Sequence, residues 1–322
     1  MNYLITGGAG FIGSNLAFEL VKRGDSVRVL DNFSSGNLDN IEPLLDKIKV
    51  IEGDIRDFWT VEEAMNDIDY VLHHAALPSV ARSVQNPLTA NAVNIGGTLN
   101  ILESARQANV KRVIFACSSA IYGDSEELPK IETMKPDPLS PYAVNKLTGE
   151  EYCKIYYQLY GLETVSLRYF NVFGPRQDPA SQYSAAIPIF IKAILHGKPP
   201  VIFGDGEQSR DFVYIENVVN ANLKACTAPN APGQCFNIAS GQRITLNNLL
   251  KLISGVLNID INPKYVDPRP GDILHSGADI QAAISGLGYS VDFDLRIGLK
   301  ETIKWFSDIF SETTPVGGIS ID

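Results

Sequence analysis

Thr6-Gly7-Gly8-Ala9-Gly10-Phe11-Ile12-Gly13 follows the apolar segment Asn2–Thr6 and opens an amphipathic stretch, Phe11–Arg23. A strand running through a glycine-rich turn into a helix brings backbone close to a phosphate. Gly7 permits the tight turn, Gly10 the close approach and Gly13 the packing of helix on strand, while N–H groups at the helix start act as donors for a pyrophosphate. Outward from this turn, strands read at Ser26–Asp31, Ile48–Glu52, Tyr70–His73 and Arg112–Ala116, with helices near Thr60–Met65 and Asn91–Gln107. That alternation predicts βαβ units with right-handed crossovers, hence an α/β fold with a Rossmann-type doubly wound parallel sheet. Asp31 ends the second predicted strand, where a carboxylate can hydrogen-bond both adenosine ribose hydroxyls and repel a 2′-phosphate, which favours NAD over NADP.

Beyond this unit a long helix reads from Pro141 to Tyr160, stopping at Gly161, and a strand at Thr164–Tyr169. Asn171–Tyr183 is rich in Gly, Pro, Asn and Gln and reads as a long functional loop, so the domain change is placed there. Helices recur at Ala186–Leu195, Ile215–Ala225, Leu246–Leu257 and Gly298–Phe306, and Phe236–Ala239 reads as a strand returning to the first sheet. The division is therefore residues 1–170, with a return segment at about 211–240, for the nucleotide-binding domain. Residues 171–210 and 241–310 form a smaller, discontinuous C-terminal α/β substrate domain, and 311–322 are expected to form a mobile tail.

The 322 residues are 45% hydrophobic and 20% charged, an ordinary globular composition long enough for about two domains. Lys+Arg 27 against Asp+Glu 37 gives −10, which argues against a nucleic-acid or anionic-membrane binder while leaving room for a local basic pocket. Cys117, Cys153, Cys226 and Cys235 form no CxxC pair, and His73, His74, His196 and His275 show no ligand spacing. Neither a metal site nor a disulfide framework is expected. The opening MNYLITGGAG lacks the basic and apolar regions of an export signal, and Pro188 and Lys192 interrupt the most apolar later run. A cytoplasmic protein without a membrane span is the expectation.

Tyr142 and Lys146 are four apart just inside the predicted helix, which puts both on one face. A phenol is a poor base at neutral pH, but an adjacent ammonium and a positive nicotinamide favour its phenolate, so Tyr142 can serve as acid or base. Upstream, Cys117-Ser118-Ser119-Ala120-Ile121-Tyr122-Gly123 follows a strand end, where ligand chemistry sits in open α/β sheets.

The GxxGxxG spacing of the turn, with these segments in this order, resembles the extended short-chain dehydrogenase/reductase family over nearly the whole chain up to about Phe310. The resemblance implies a catalytic set of Ser118, Tyr142 and Lys146. For NAD it implies Gly7, Gly10, Phe11, Ile12 and Gly13 at the pyrophosphate. Asp31, Asn32, Ser34, Gly36, Asp54 and Ile55 would lie around the adenosine, and His74, Ala75, Ala76, Asn94, Tyr142, Lys146 and Tyr169 toward the nicotinamide. Dehydrating members carry an Asp-Glu pair where Ser119 and Ala120 stand, and decarboxylating members carry Glu at the Ala120 position. What remains is reversible hydride transfer with the carbon skeleton intact.

The segment Arg168–Gln177 closely resembles the substrate loop of nucleotide-sugar 4-epimerases. By that resemblance Asn171 contacts the sugar diphosphate, Val201 and Phe203 flank uracil, Arg210 and Arg269 hold the diphosphate, and Asp272 contacts the uridine ribose. Guanidinium forks match phosphate oxygens, which is why two arginines suit this role. Ser79, Arg82, Ser118, Ser119 and Tyr142 would line the sugar pocket. Ser276 stands where a large Tyr closes the pocket in glucose/galactose-restricted relatives, leaving space for a 2-N-acetyl group. The implied activity is 4-epimerisation of UDP-GlcNAc/UDP-GalNAc, with UDP-Glc/UDP-Gal also accepted, through a 4-keto intermediate and transient NADH. Alternatives are a UDP-glucose-restricted or UDP-glucuronate 4-epimerase, a net nucleotide-sugar reductase or dehydrogenase, and a non-catalytic NAD-binding sensor or scaffold. Cell-surface polysaccharide assembly and galactose metabolism both fit such an activity. The resemblance also implies a homodimer built through the Asn91–Gln107 and Pro141–Tyr160 helices.

Overall fold

The computed structural model describes residues 1–178, 186–268 and 273–313, the last three of these by their helical backbone alone. Six strands, β1 (Asn2–Thr6), β2 (Ser26–Asp31), β3 (Lys49–Glu52), β4 (Tyr70–His73), β5 (Arg112–Ser118) and β6 (Glu163–Tyr169), lie in the order β6-β5-β4-β1-β2-β3. The strand Cys235–Ile238 adds to the β6 edge, and every pairing in this seven-stranded sheet is parallel. β5, Arg-Val-Ile-Phe-Ala-Cys-Ser, is buried along all but its last residue, as a central strand covered on both faces requires. The order reverses beside β1, and the carboxyl ends of β1 and β4 open there into a crevice.

Helices cover both faces. α1 (Phe11–Lys22) buries Leu16, Ala17 and Leu20 against one; α2 (Phe58–Ala64) buries Val61 and Ala64 against the other. α2 begins two residues earlier than the sequence suggests because the Asp57 carboxylate caps it, accepting from Trp59 N. The single helix expected at Asn91–Gln107 is instead α4 (Pro87–Asn91), a π-helical stretch Ala92–Gly97 and α5 (Thr98–Gln107), preceded by a short α3 (Val80–Gln85). Gly97 lets this stretch pack closely on Ile55, whose Cδ1 would lie 2.4 Å from a Cβ there. α6 (Pro141–Tyr160) has Ser140 as N-cap, Pro141 in its first turn and Gly161 at φ 71° as its stop.

The start of the expected loop is also corrected. Residues Asn171–Phe173 form β7, which pairs with β10 (Phe212–Tyr214) because Asn171 N donates to Asp211 O. Residues 179–183 of that loop lie outside the described residues. Between these strands come α7 (Ala186–Leu195), β8 (Val201–Phe203) and β9 (Ser209–Arg210). After them α8 (Ile215–Thr227) leads to β11, the returning strand Cys235–Ile238, then to β12 (Ile244–Thr245), α9 (Leu246–Leu257), β13 (Lys264–Val266) and α10 (Gln281–Leu287). β8 pairs with β13, and β9 with β12. The last helix, α11, runs Leu295–Thr313, not Gly298–Phe306, so the first three residues of the expected tail continue a helix. Its longer reach follows from Trp305, Phe306 and Phe310, which pack against the hydrophobic core.

Candidate active site

A cleft of about 1420 Å³ runs along the carboxyl ends of the central strands. At its centre the loop after β1 meets α1. Gly7 sits at φ +69°, and a Cβ there would lie 2.7 Å from Ala75 N; a Cβ on Gly13 would lie 2.2 Å from Gly7 O. Both positions admit only glycine without movement of backbone. At Gly10 the sole near atom is Gly7 O, at 3.2 Å, so its open side is a cradle that a side chain would fill. Gly10 is the N-cap of α1 and spends no side chain on the first-turn N–H groups. Gly7, Gly10, Phe11, Ile12 and Gly13 all line the cleft, and this set fits the pyrophosphate of a dinucleotide.

To one side lie Asp31, Asn32, Ser34, Gly36, Asp54 and Ile55. The Asp31 carboxylate accepts from Ala9 N and Phe33 N, each at 2.9 Å; burial pushes its pKa up, and these N–H groups pull it back. Asp54 is bound bidentately by Arg56, at 2.9 and 2.7 Å, and by Asn32 Nδ2 at 2.8 Å, with Arg56 holding its pKa near about 2. The pair Asn32–Asp54 thus presents a fixed polar edge.

To the other side lie His74, Ala75, Ala76, Tyr142, Lys146, Tyr169 and Asn171. Ser118 lies beside Tyr142 and pulls its pKa down. Lys146 Nζ donates to Ala116 O at 2.7 Å and lies 6.0 Å from the centroid of the Tyr142 ring. Burial raises the Tyr142 pKa to about 12 against the pull of Ser118, and lowers that of Lys146 to about 8. Of the influences on the phenol within the chain, desolvation is the largest, and it holds the phenol in its protonated form. His74 Nε2 and Tyr169 Oη are 3.0 Å apart, and burial holds the imidazole neutral with a pKa of about 3.

Not every predicted residue reaches the cleft. Asn94 is buried behind it, where its side chain accepts from Leu77 N at 2.8 Å and donates to Leu77 O, fixing the turn after His74-Ala75-Ala76. Ser79 and Arg82 line the cleft from the start and middle of α3, while Ser118 and Ser119 are not among the residues that line it. Val201 and Phe203 lie on β8, and Arg210 on β9; none of these lines the cleft. Arg210 Nη1 donates to Ser209 O and Leu274 O, and Ser276 N donates to Ser209 O, so Arg210 and Ser276 are neighbours on a separate patch. Arg269 and Asp272 lie outside the described residues.

Several cleft residues are given no individual role by the sequence. Arg176, at φ 68°, donates to Asn15 Oδ1 at 2.6 Å, and its guanidinium lies 3.9 Å over the Phe18 ring. Gln177 donates to Val172 O, while its Oε1 is buried without a partner among the described residues, an acceptor suited to a donor on a bound molecule. Trp305, Phe306, Ile309 and Phe310 form an apolar end wall; their i, i+4 spacing was the available signal. Among the described residues no cluster of three His, Cys, Asp or Glu could hold a metal, and no helix is long and apolar enough to cross a membrane.

The family described as "NAD dependent epimerase/dehydratase family" matches residues 3–239. The chain is 44% identical to the UDP-N-acetylglucosamine 4-epimerase of Methanobrevibacter ruminantium M1, solved with UDP-N-acetylmuramic acid; the match covers 96% of this chain and 98% of that one, with TM-score 0.91. It is 39% identical to the UDP-glucose 4-epimerase of Thermotoga maritima, solved with UDP-glucose, covering 96% and 100% of the two chains with TM-score 0.91. With the UDP-glucuronic acid 4-epimerase of Bacillus cereus, solved with UDP-glucuronic acid and NAD, identity is 31%, coverage 96% and 100%, and TM-score 0.88.

Proposed function

The chain belongs to the NAD-dependent epimerase/dehydratase family and is a UDP-sugar 4-epimerase with NAD as cofactor, and from that premise we propose that UDP-GlcNAc and UDP-GalNAc are its preferred pair, with UDP-Glc and UDP-Gal as secondary substrates. The observation that carries the preference is Ser276, a small, half-buried side chain beside Arg210 at the position assigned to the sugar pocket. Ser79 and Arg82, facing the cleft from α3, support it, as does the identity of 44% to a UDP-GlcNAc 4-epimerase.

Gly7, Gly10, Phe11, Ile12 and Gly13 would hold the NAD pyrophosphate, and Asp31, Asn32 and Asp54 its adenosine. Held there, NAD would supply reversible hydride exchange at carbon 4 of the sugar. Tyr142 takes the proton of the 4-hydroxyl and gives it back, oriented by Ser118. A phenol held protonated by burial is the right state to return a proton; Ser118 pulls the other way, toward the phenolate needed to take one. Neutral His74, with Tyr169, backs this end of the cleft without adding a competing charge.

We assign the sheet-bearing part, residues 1–170 and about 211–240, to NAD, and residues 171–210 and 241–310 to the nucleotide sugar. Val144, Ile155 and Leu159 of α6, with Val84 and Leu88 of α3 and α4, are exposed apolar side chains that support a homodimer through this face. Its four cysteines are free, which suits the cytoplasm.

The purified protein, without added cofactor, is incubated with UDP-GlcNAc, UDP-Glc and UDP-glucuronate separately, and the products are followed by NMR. Fastest conversion of UDP-GlcNAc to UDP-GalNAc supports the preference. Conversion of UDP-Glc or UDP-glucuronate alone refutes it and leaves the 4-epimerase chemistry in place.

A further inference from the structure

Ser83 is fully buried in the last turn of α3, does not line the cleft, and has no role in the reaction so far described. Its hydroxyl does two things. It donates to Val80 O at 2.6 Å within its own helix, and it accepts from the backbone N–H of Tyr142 at 3.0 Å. The second bond completes the accounting at the start of α6. Pro141 has no N–H; Ala143 N is capped by Ser140 Oγ at 3.2 Å, and Val144 N by Ser140 O at 3.0 Å. Tyr142 N is the remaining first-turn donor, and its cap comes from another helix.

That bond joins two parts of the site. α3 presents Ser79 and Arg82 to the cleft, Ser79 itself capping α3 by accepting from Arg82 N at 3.1 Å. The residue that follows Arg82 holds the backbone of Tyr142. The helix assigned to the sugar and the tyrosine assigned to its 4-hydroxyl are therefore joined by a hydrogen bond.

We propose that Ser83 is a positioning residue that fixes Tyr142 relative to the sugar-binding helix α3, so that the phenol is aligned on the hydroxyl when α3 holds the sugar. The inference rests on Tyr142 acting as the acid–base group. Its removal leaves a buried N–H unpaired and frees Tyr142 from α3, and small displacements of a reacting group are costly to rate while leaving binding intact.

The test uses the full-length protein with its bound NAD. In Ser83→Ala, kcat is expected to fall about tenfold with KM for the UDP-sugar within about twofold of wild type and NAD content unchanged. Ser83→Thr keeps a hydroxyl that can bond the carbonyl three residues back, and is expected to recover most of kcat. Tyr142→Phe is run in parallel and is expected to lose at least about 100-fold in kcat. An unaltered kcat in Ser83→Ala beside an inactive Tyr142→Phe overturns the positioning role alone. So does a loss of activity in Ser83→Ala that goes with lost NAD and a lowered melting temperature and is not recovered by Thr. An active Tyr142→Phe overturns the assignment of Tyr142 on which the inference stands.

Discussion

Burial and hydrogen bonding act on single side chains here in opposite senses, and the balance sets what each can do. In Tyr142 desolvation wins and the phenol stays protonated at about 12; in His74 the same force keeps the imidazole neutral at about 3, and His73 is pushed in the same direction. For a histidine whose folded pKa lies below its unfolded 6.5, the unfolded chain binds the extra proton between the two values. The stability contribution is complete above pH 6.5 and is lost as the pH falls toward 3. His74→Gln, which retains a polar partner for Tyr169 without the titration, should therefore show a smaller drop in melting temperature between pH 7.5 and 5 than wild type; equal drops would show that His74 takes up its proton without unfolding. On the sugar preference proposed above, volume and not charge is what Ser276 contributes. Ser276→Tyr is expected to lower kcat/KM for UDP-GlcNAc at least tenfold and to leave UDP-Glc within about threefold, measured on both sugars in parallel. Tyr142 and Lys146 were legible because their partnership is local, four residues on one helix. Ser83 was not, because its partner lies 59 residues away and nothing in the spacing announces it.

At the scale of elements, legibility follows the length of the signal. α6 carries a serine cap, a first-turn proline and a terminating glycine over 20 residues, and each of those marks its own end. β9 and β12 are two residues each and β7, β8, β10 and β13 three, too short for any alternation to show; they exist because neighbours supply the missing hydrogen bonds. The π-helical stretch before α5 was hidden for another reason: a widened turn leaves the hydrophobic period nearly intact while redirecting Asn94 toward Leu77. On the NAD site proposed above, the glycine-rich turn is the element on which the cofactor depends most directly. In Gly13→Ala a Cβ 2.2 Å from Gly7 O must push the turn away from α1, so the purified protein should carry less than about a tenth of the wild-type NAD, measured by chromatography of the released nucleotide. Wild-type NAD content would mean that the turn yields without losing its donors.

At the scale of the whole molecule, the large-scale order of strands and the glycine turn were readable, whereas the meeting of Arg210 with Ser276 depends on chain segments distant in sequence that no pattern links. The returning strand β11 shows the same dependence. It covers the edge of β6, a strand buried along all but its first residue, and places Phe236 and Ile238 in the core. A fragment ending at residue 170 is therefore expected to be insoluble, with β6 exposed as an apolar edge, while one ending near residue 240 should be recovered in larger soluble yield; sedimentation of the two fragments compares them. During synthesis the same geometry imposes a wait. At about 5–20 residues per second, the ribosome takes several seconds to pass from Tyr169 to Ile238, and through that interval six strands stand without their seventh. The nascent chain must survive that interval with one sticky border uncovered, so the order in which its parts leave the ribosome makes shielding by chaperones most valuable in the middle of translation, after the sixth strand has emerged and before the seventh arrives.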